Sequence, residues 1–325
     1  MTSPITLATI EKAALNIASH AVRTPLLEPR VLADELGGRI FLKAETFQKT
    51  GTFKFRGAFN TVINLSPEQR ERGVIAWSSG NHAQGVAAAA QIVGIPATIV
   101  MPADAPEIKR KNTESYGARV VPYDRYSEDR KAIAMALMAE TGCALIPPYD
   151  HLDVIAGQGT VGLEIAQDLK SQNSAPDQVL ICCGGGGLTA GVSTAVKSLF
   201  PNCKTLTVEP EGYDDTKKSL ETGERQEADT SQKSLCDALL SPQPGELTFS
   251  INRQTVDQGL AVSEDEVLAA MRYGFEKLKL VIEPGGAVCL AAALAGKIDC
   301  RNKTTVLILS GGNVDPAIFA EAIVG

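Results

Sequence analysis

The sequence predicts an α/β protein built on doubly wound parallel sheets. Two observations lead there. Short β-branched runs alternate with segments of helical spacing through most of the 325 residues. Several strand-like runs end in Gly, Ser or Asn turns that open helices, the usual place for ligands in such sheets. In order, residues 5–21 have helical spacing (Ile10, Ala13, Ala14, Ile17, Ala18), and Thr24-Pro25 ends them. Residues 39–43 read as a strand entering a turn at Lys54. Strands follow at 73–77, 95–101 and 119–123, with helices at 86–90, 107–116 and 130–140. A second series begins near Leu145: a helix at 159–170, a buried strand at 178–183 and a helix at 189–200. A strand at 205–208 ends at Glu209, and a polar, irregular stretch runs from 223 to 245. A helix at 264–278 and a last strand at 303–309 complete the pattern. Two α/β halves with a crevice between them are expected.

Composition narrows the function. Apolar residues make up 44% and charged residues 21%, ordinary for a soluble globular chain. A net charge of -7 argues against a nucleic-acid surface, which needs clustered Lys and Arg. No apolar run is long enough to span a bilayer, and the first ten residues lack signal-peptide character, so a cytoplasmic location is expected. The seven cysteines are odd in number and none has C-x-x-C spacing, so neither a disulfide framework nor a zinc site is indicated.

Four stretches carry chemistry. Lys54 stands between Phe53 and Phe55. Aromatic neighbours strip water from an amine, lower its pKa and make it a nucleophile for carbonyls; in isolation the pattern also suits a lysine snorkelling from a helix end. Gly184 to Gly187 follow a buried strand and open a helix, so backbone N–H groups and the helix dipole converge on an anion such as phosphate. Ser78-Ser79-Gly80-Asn81-His82 has the same placement and suits a carboxylate or phenolic oxygen, or an ordinary N-cap. Ser310-Gly311-Gly312-Asn313 closes the last strand, where a hydroxyl could meet a ring nitrogen or simply form a polar turn.

Together these motifs resemble the fold-type II pyridoxal-phosphate enzymes, in the branch of serine/threonine dehydratases and serine racemases. The resemblance runs from about Glu11 to Asp315 and rests on Lys49-Thr50-Gly51-Thr52-Phe53-Lys54, Ser78 to His82, Ala156-Gly157-Gln158-Gly159-Thr160, the tetraglycine, Glu283-Pro284 and Ser310 to Asn313. It implies two doubly wound three-layer α/β/α domains, residues 1–50 with 147–325 and residues 51–146, holding the cofactor in the cleft. It implies that Lys54 forms the Schiff base with pyridoxal 5'-phosphate beside Phe53 and Glu283. Gly184, Gly185, Gly186, Gly187 and Leu188 would cup the phosphate, Asn81 would bond the ring hydroxyl, and Ser310 the ring nitrogen. A serine there leaves that nitrogen largely unprotonated, which favours prompt β-elimination. Ser78, Ser79, Asn81 and His82 would hold the substrate carboxylate, with Ser79 opposite Lys54. The implied reaction is dehydration and deamination of a small L-β-hydroxy amino acid, foremost L-threonine or L-serine, to a 2-oxo acid and ammonia.

The acidic loop after Glu209 alone reads as a solvated turn. By the resemblance, Glu209, the Tyr213 carbonyl and Asp215 bind Mg²⁺ or another divalent cation, a donor set that suits a hard ion. Glu11, Lys49, Thr50, Gln84, Tyr116, Lys279 and Asn313 match the pattern of an ATP effector site at a homodimer interface, although Pro29 and Arg30 depart from it. Pro244 to Phe249 looks more like threonine dehydratases than racemases. Asp237-Ala238 replaces the usual Asp-Gly, and because the sequence stops soon after Asn313 the regulatory domain of feedback-controlled deaminases is not expected.

Alternatives within the family are a 3-hydroxyaspartate dehydratase, whose second carboxylate needs a cation the sequence does not reveal, and a serine racemase. Outside it, Gly185-x-Gly187-x-x-Ala190 with Glu209 mimics a dinucleotide fingerprint of an NAD-dependent dehydrogenase, but leaves Lys54 and Ser310 unexplained. A non-catalytic sensor would have no use for Lys54. His20 and His151 read as structural, no histidine is assigned catalysis, and Trp77 reads as core.

Overall fold

A computed structural model describes residues 4–78, 80–105, 107–124 and 126–325, with backbone alone at Ile108. The chain opens with α1 (Leu7–Ile17), β1 (Leu26–Leu27), α2 (Arg30–Leu36) and β2 (Arg39–Ala44). Two short 3-10 turns, Glu45–Phe47 and Lys49–Gly51, lead to α3 (Lys54–Ile63). Then come α4 (Pro67–Arg72), β3 (Val74–Trp77), α5 (Asn81–Val93), β4 (Ala97–Pro102), α6 (Glu107–Ser115), β5 (Arg119–Tyr123), α7 (Arg130–Thr141) and β6 (Ala144–Leu145). The remainder is α8 (Leu152–Ser171), β7 (Gln178–Cys182), α9 (Gly187–Leu199), β8 (Lys204–Pro210), α10 (Asp215–Thr222), α11 (Glu246–Thr255), β9 (Gln258–Val262), α12 (Glu264–Tyr273), α13 (Pro284–Leu294), β10 (Thr304–Leu309) and α14 (Pro316–Val324).

The strands form two sheets. One has six strands in the order β1-β2-β10-β7-β8-β9, parallel except for β1; the other has four in the order β5-β4-β3-β6, all parallel. The central strands are apolar on both faces, as parallel strands covered by helices must be: all residues of β7 and the last five of β10 are buried. Each sheet anchors its own core. Phe41, Leu180, Val208 and Ile308 belong to the first, and Phe59, Ala76, Ala87 and Ile99 to the second. Between the sheets, α3 packs on both α5 and α8. All seven cysteines are buried free thiols. Among the described residues no helix is long and apolar enough to cross a membrane.

Several elements differ from the sequence expectation. The first helix is shorter, stopping at Ile17, and the helix expected at 86–90 begins already at Asn81. The Ala156-to-Thr160 motif, read before a helix beginning at 159, lies inside α8, which starts at Leu152. Its glycines serve helix contact: a Cβ on Gly157 would stand 2.7 Å from the Arg56 carbonyl and the Gly57 Cα. The helix expected to reach 278 is α-helical to Tyr273 and closes in a π-turn, Gly274–Leu278. The 223–245 stretch is irregular apart from a 3-10 turn at Asp237–Leu239.

Candidate active site

Carboxyl ends of strands from both sheets, with the N-terminus of α3, border one cavity of about 210 Å³. It gathers Phe53, Lys54, Ser78, Asn81, His82, the four glycines, Leu188, Glu283 and Ser310. Ser79 lies outside the described residues. The two loops that flank the floor are stitched together by backbone bonds. Thr52 bridges Gly311, Phe53 N–H donates to the Ser310 carbonyl at 3.1 Å, and Gly312 N–H donates to the Gly51 carbonyl at 3.0 Å.

Lys54 is the first residue of α3 and partly buried. Its Nζ donates to the Pro148 carbonyl at 2.9 Å and lies 5.1 Å from the Phe53 ring centre. Loss of water lowers its pKa to about 8, with Cys182 and Glu283 only partly opposing the shift. No carboxylate bonds this amine among the described residues, and with a pKa of about 8 roughly a tenth of it is neutral near pH 7, far more than for an ordinary lysine.

Asn81, at the start of α5, is held on both sides. Its Nδ2 donates to Glu283 Oε1 at 2.7 Å, and its Oδ1 accepts from Asn313 Nδ2 at 2.9 Å. Glu283 is raised to about 7 by burial and by the Asp237 charge, with the Asn81 amide opposing. His82 is buried, and its Nε2 lies 2.8 Å from the Ile146 carbonyl. Burial and the nearby Lys54 lower its pKa to about 3, so the ring is neutral and no cation for a substrate carboxylate. Ser78 Oγ accepts from Gly80 N–H at 3.2 Å. Ser310 is buried beside Cys182, whose thiol is pushed up to about 11 by burial against the pull of the Ser310 hydroxyl.

The tetraglycine fits a phosphate. It follows β7 and opens α9, whose first N–H groups have no intrahelical partner. Gly186 has φ +93, a conformation that L side chains rarely adopt. Lys54 across the cavity and the buried Ser310 complete the donor set that pyridoxal phosphate needs.

Sequence reasoning missed part of this wall. Trp77 and Cys182, read as core, both line the cavity, as do Lys109, Arg130, Pro148 and Tyr149. Lys109 pairs with Asp237 across the mouth, whereas Arg130 is exposed with no ion-pair partner among the described residues. These cations come from α6 and α7, far from any motif, and only the fold brings them in.

The other predicted residues lie apart. Glu209, at the end of β8, accepts from Thr216 N–H at 2.9 Å and Lys217 N–H at 2.8 Å. Both Asp215 oxygens are buried without a hydrogen-bond partner, and burial raises that carboxyl to about 7. Glu209 is raised well above the usual range by burial and by Asp215. Among the described residues no three His, Cys, Asp or Glu side chains converge on one point, so a cation here would rest on two carboxylates and the buried Tyr213. Asn313 Nδ2 donates to the Thr50 carbonyl at 2.8 Å, and α5, carrying Gln84, packs against the Lys49–Gly51 turn. Glu11 and Lys279 are exposed, and Tyr116 packs against the core of the smaller sheet.

The chain is 45% identical over 313 residues to an L-threo-3-hydroxyaspartate ammonia-lyase of Saccharomyces cerevisiae, covering 96% of this chain and 94% of the relative. It is 41% identical over 312 residues to a serine racemase of Schizosaccharomyces pombe, covering 96% and 95%. The solved structure of a T.th. threonine deaminase superposes with a TM-score of 0.90 at 46% identity, covering 96% of this chain and 99% of that one. Residues 17–311 match the family described as "Pyridoxal-phosphate dependent enzyme", and this chain belongs to it.

Proposed function

We propose that the protein catalyses β-elimination of a small L-β-hydroxy amino acid, releasing a 2-oxo acid and ammonia. The observation that carries this reading is Lys54: an amine with a lowered pKa, hydrogen-bonded to no carboxylate among the described residues, lining the same cavity as the glycine cradle. When bound, pyridoxal phosphate supplies an aldehyde for the substrate amine and an electron-withdrawing ring that stabilises charge at Cα. The Gly184-to-Leu188 turn holds its phosphate, Ser310 its ring nitrogen and Asn81 its phenolic oxygen. The Ser78-to-His82 turn binds the substrate carboxylate at the N-terminus of α5. Lys54, steadied by the Pro148 carbonyl, takes the Cα proton, and that proton leaves with the β-hydroxyl as water; the released enamine tautomerises to an imine, which water hydrolyses to the 2-oxo acid and ammonia. A proton donor at Ser79 would make racemisation a side reaction.

A second carboxylate on the substrate is favoured by one observation: Arg130, with no ion-pair partner among the described residues, lines the cavity, a cation that 3-hydroxyaspartate would use and that L-threonine and L-serine would not, whereas Lys109 is paired with Asp237. The test is a visible absorption spectrum of the purified protein before and after L-threonine, L-serine and the 3-hydroxyaspartate isomers, with 2-oxo acid assayed alongside. A yellow protein producing 2-oxo acid upholds the reading, and the fastest substrate names the class. A colourless protein that pyridoxal phosphate cannot reconstitute overturns it. Arg130→Ala should lower kcat/KM for 3-hydroxyaspartate by about 10²-fold and leave L-threonine within about threefold, as expected for loss of a charge-assisted contact.

The remaining readings are supported more locally. Two buried, unpartnered oxygens on Asp215 support a divalent-cation site with Glu209 and the Tyr213 carbonyl. Exposed Phe47 and Val281, on segments that adjoin at Gly312, support a homodimer face. The Thr50–Asn313 contact beside Lys49 and Gln84 supports an ATP effector site near it. A cytoplasmic location and a division into residues 1–50 with 147–325 and 51–146 complete the proposal.

A further inference from the structure

We propose that Tyr149 is a positioning residue for the phosphate cradle, and that its ring is the reason residue 185 must be glycine. This rests on the pyridoxal-phosphate reading of the cavity. A Cβ on Gly185 would stand 2.4 to 2.5 Å from three carbons of the Tyr149 ring, so the ring lies flat against the Gly185 Cα. A Cβ on Gly187 would meet the Tyr149 Cα and Cβ at 3.0 Å. The cradle is thus pressed into shape by Tyr149 on one side, while Thr248 on α11 donates to the Gly185 carbonyl at 2.7 Å.

Tyr149 is itself fixed along the chain in both directions. Pro148, the preceding residue, accepts from Lys54 Nζ. Asp150, the following one, accepts from Glu246 N–H at 3.2 Å and Thr248 N–H at 3.0 Å. The Tyr149 and Ser241 hydroxyls lie 3.2 Å apart, which ties the ring to the 237–242 segment across the cavity. A cofactor anchored at its phosphate and at Lys54 needs those two anchors at a set separation. Pro148 and Tyr149 are consecutive residues, one touching each anchor, so they act as the spacer.

The test is a double-mutant cycle of Tyr149→Ala and Gly185→Ala. Pyridoxal-phosphate affinity is read by titrating apoprotein, and the melting temperature of each apoprotein is measured in parallel. We expect Tyr149→Ala to weaken affinity about tenfold, and Gly185→Ala more. The double variant should bind at least about fivefold more tightly than Gly185→Ala, because contacting residues couple by amounts of this order. Tyr149→Phe, which keeps the ring, should stay within about threefold of the parent. Affinities that combine without coupling would overturn the proposal. So would coupling confined to the melting temperatures, because that is packing without positioning. Should Tyr149→Ala fail to fold, Tyr149→Leu takes its place in the cycle. A parent protein that binds no pyridoxal phosphate would instead sink the cofactor reading itself.

Discussion

Two lysines of one stretch, Lys43 and Lys54, are both drawn out of water, yet their surroundings could hardly differ more. Lys43 is fully buried and bonds Glu164 at 2.6 Å and the Thr24 carbonyl at 2.7 Å. Around it Arg56 is clasped by Glu45 at 2.8 and 2.9 Å and by Glu164 at 2.7 and 2.9 Å. Burial alone would lower the Arg56 pKa, yet Glu45 and Glu164 hold it above its ordinary value. Lys43 has its pKa lowered by desolvation, with Glu164 and Glu45 opposing. Lys54 is likewise desolvated, but among the described residues its hydrogen bond goes to a neutral carbonyl, and the Glu283 charge opposes the shift only partly. Buried charge with counter-charge makes a structural knot. Buried amine without it makes a nucleophile.

The largest effect is expected at Lys54. Lys54→Ala should lower turnover by at least about 10³-fold with the fold intact, because Lys109, the other lysine lining the cavity among the described residues, is paired with Asp237. Substantial 2-oxo acid production by that variant would end the mechanism. At the other pole, Arg56→Met should destabilise the protein by about 3–5 kcal/mol in denaturant unfolding, since it leaves Glu45 and Glu164 buried and undercompensated. An unfolding free energy within about 1 kcal/mol of the parent, on the order of a surface substitution, would show that the knot carries no such role.

The lowered pKa of Lys54 can also be read directly. The rate at which apoprotein captures pyridoxal phosphate should rise about tenfold per pH unit below 8 and level above it, because only the neutral amine attacks and the neutral fraction grows as pH rises through the pKa. A rise that continues towards about pH 10 would mean that Lys54 is an ordinary exposed lysine. The smallest effect concerns a third buried cluster, Glu209 with Asp215, whose carboxylates make no ion pair among the described residues. Saturating Mg²⁺ should stabilise the parent by about 2–3 kcal/mol in a thermal melt, the amount expected near a hundredfold excess over Kd, and Asp215→Ala should lose that gain. An identical Mg²⁺ response in parent and variant would remove the site.

Local chemistry was legible from the residues because it is encoded within single turns. A buried strand followed by four glycines, a lysine between two aromatics and a serine closing the last strand are each visible from their immediate neighbours, though each alone also fits a plain turn or helix end and only their combination carries the reading. The βα alternation has the same local origin, since apolar periodicity reports one element at a time. Boundaries slipped where a helix begins inside a motif, as at Asn81, or where glycines serve helix contact, as in α8. The tertiary structure alone decided which side chains share the cavity. Lys109 and Arg130 sit on helices with no motif, and Tyr149 meets Gly185 only because a sheet edge and the segment before α8 converge there. It also decided which charges are compensated: Lys43, Glu45, Arg56 and Glu164 lie on separate elements, and their neutrality is a property of packing that no stretch of sequence contains.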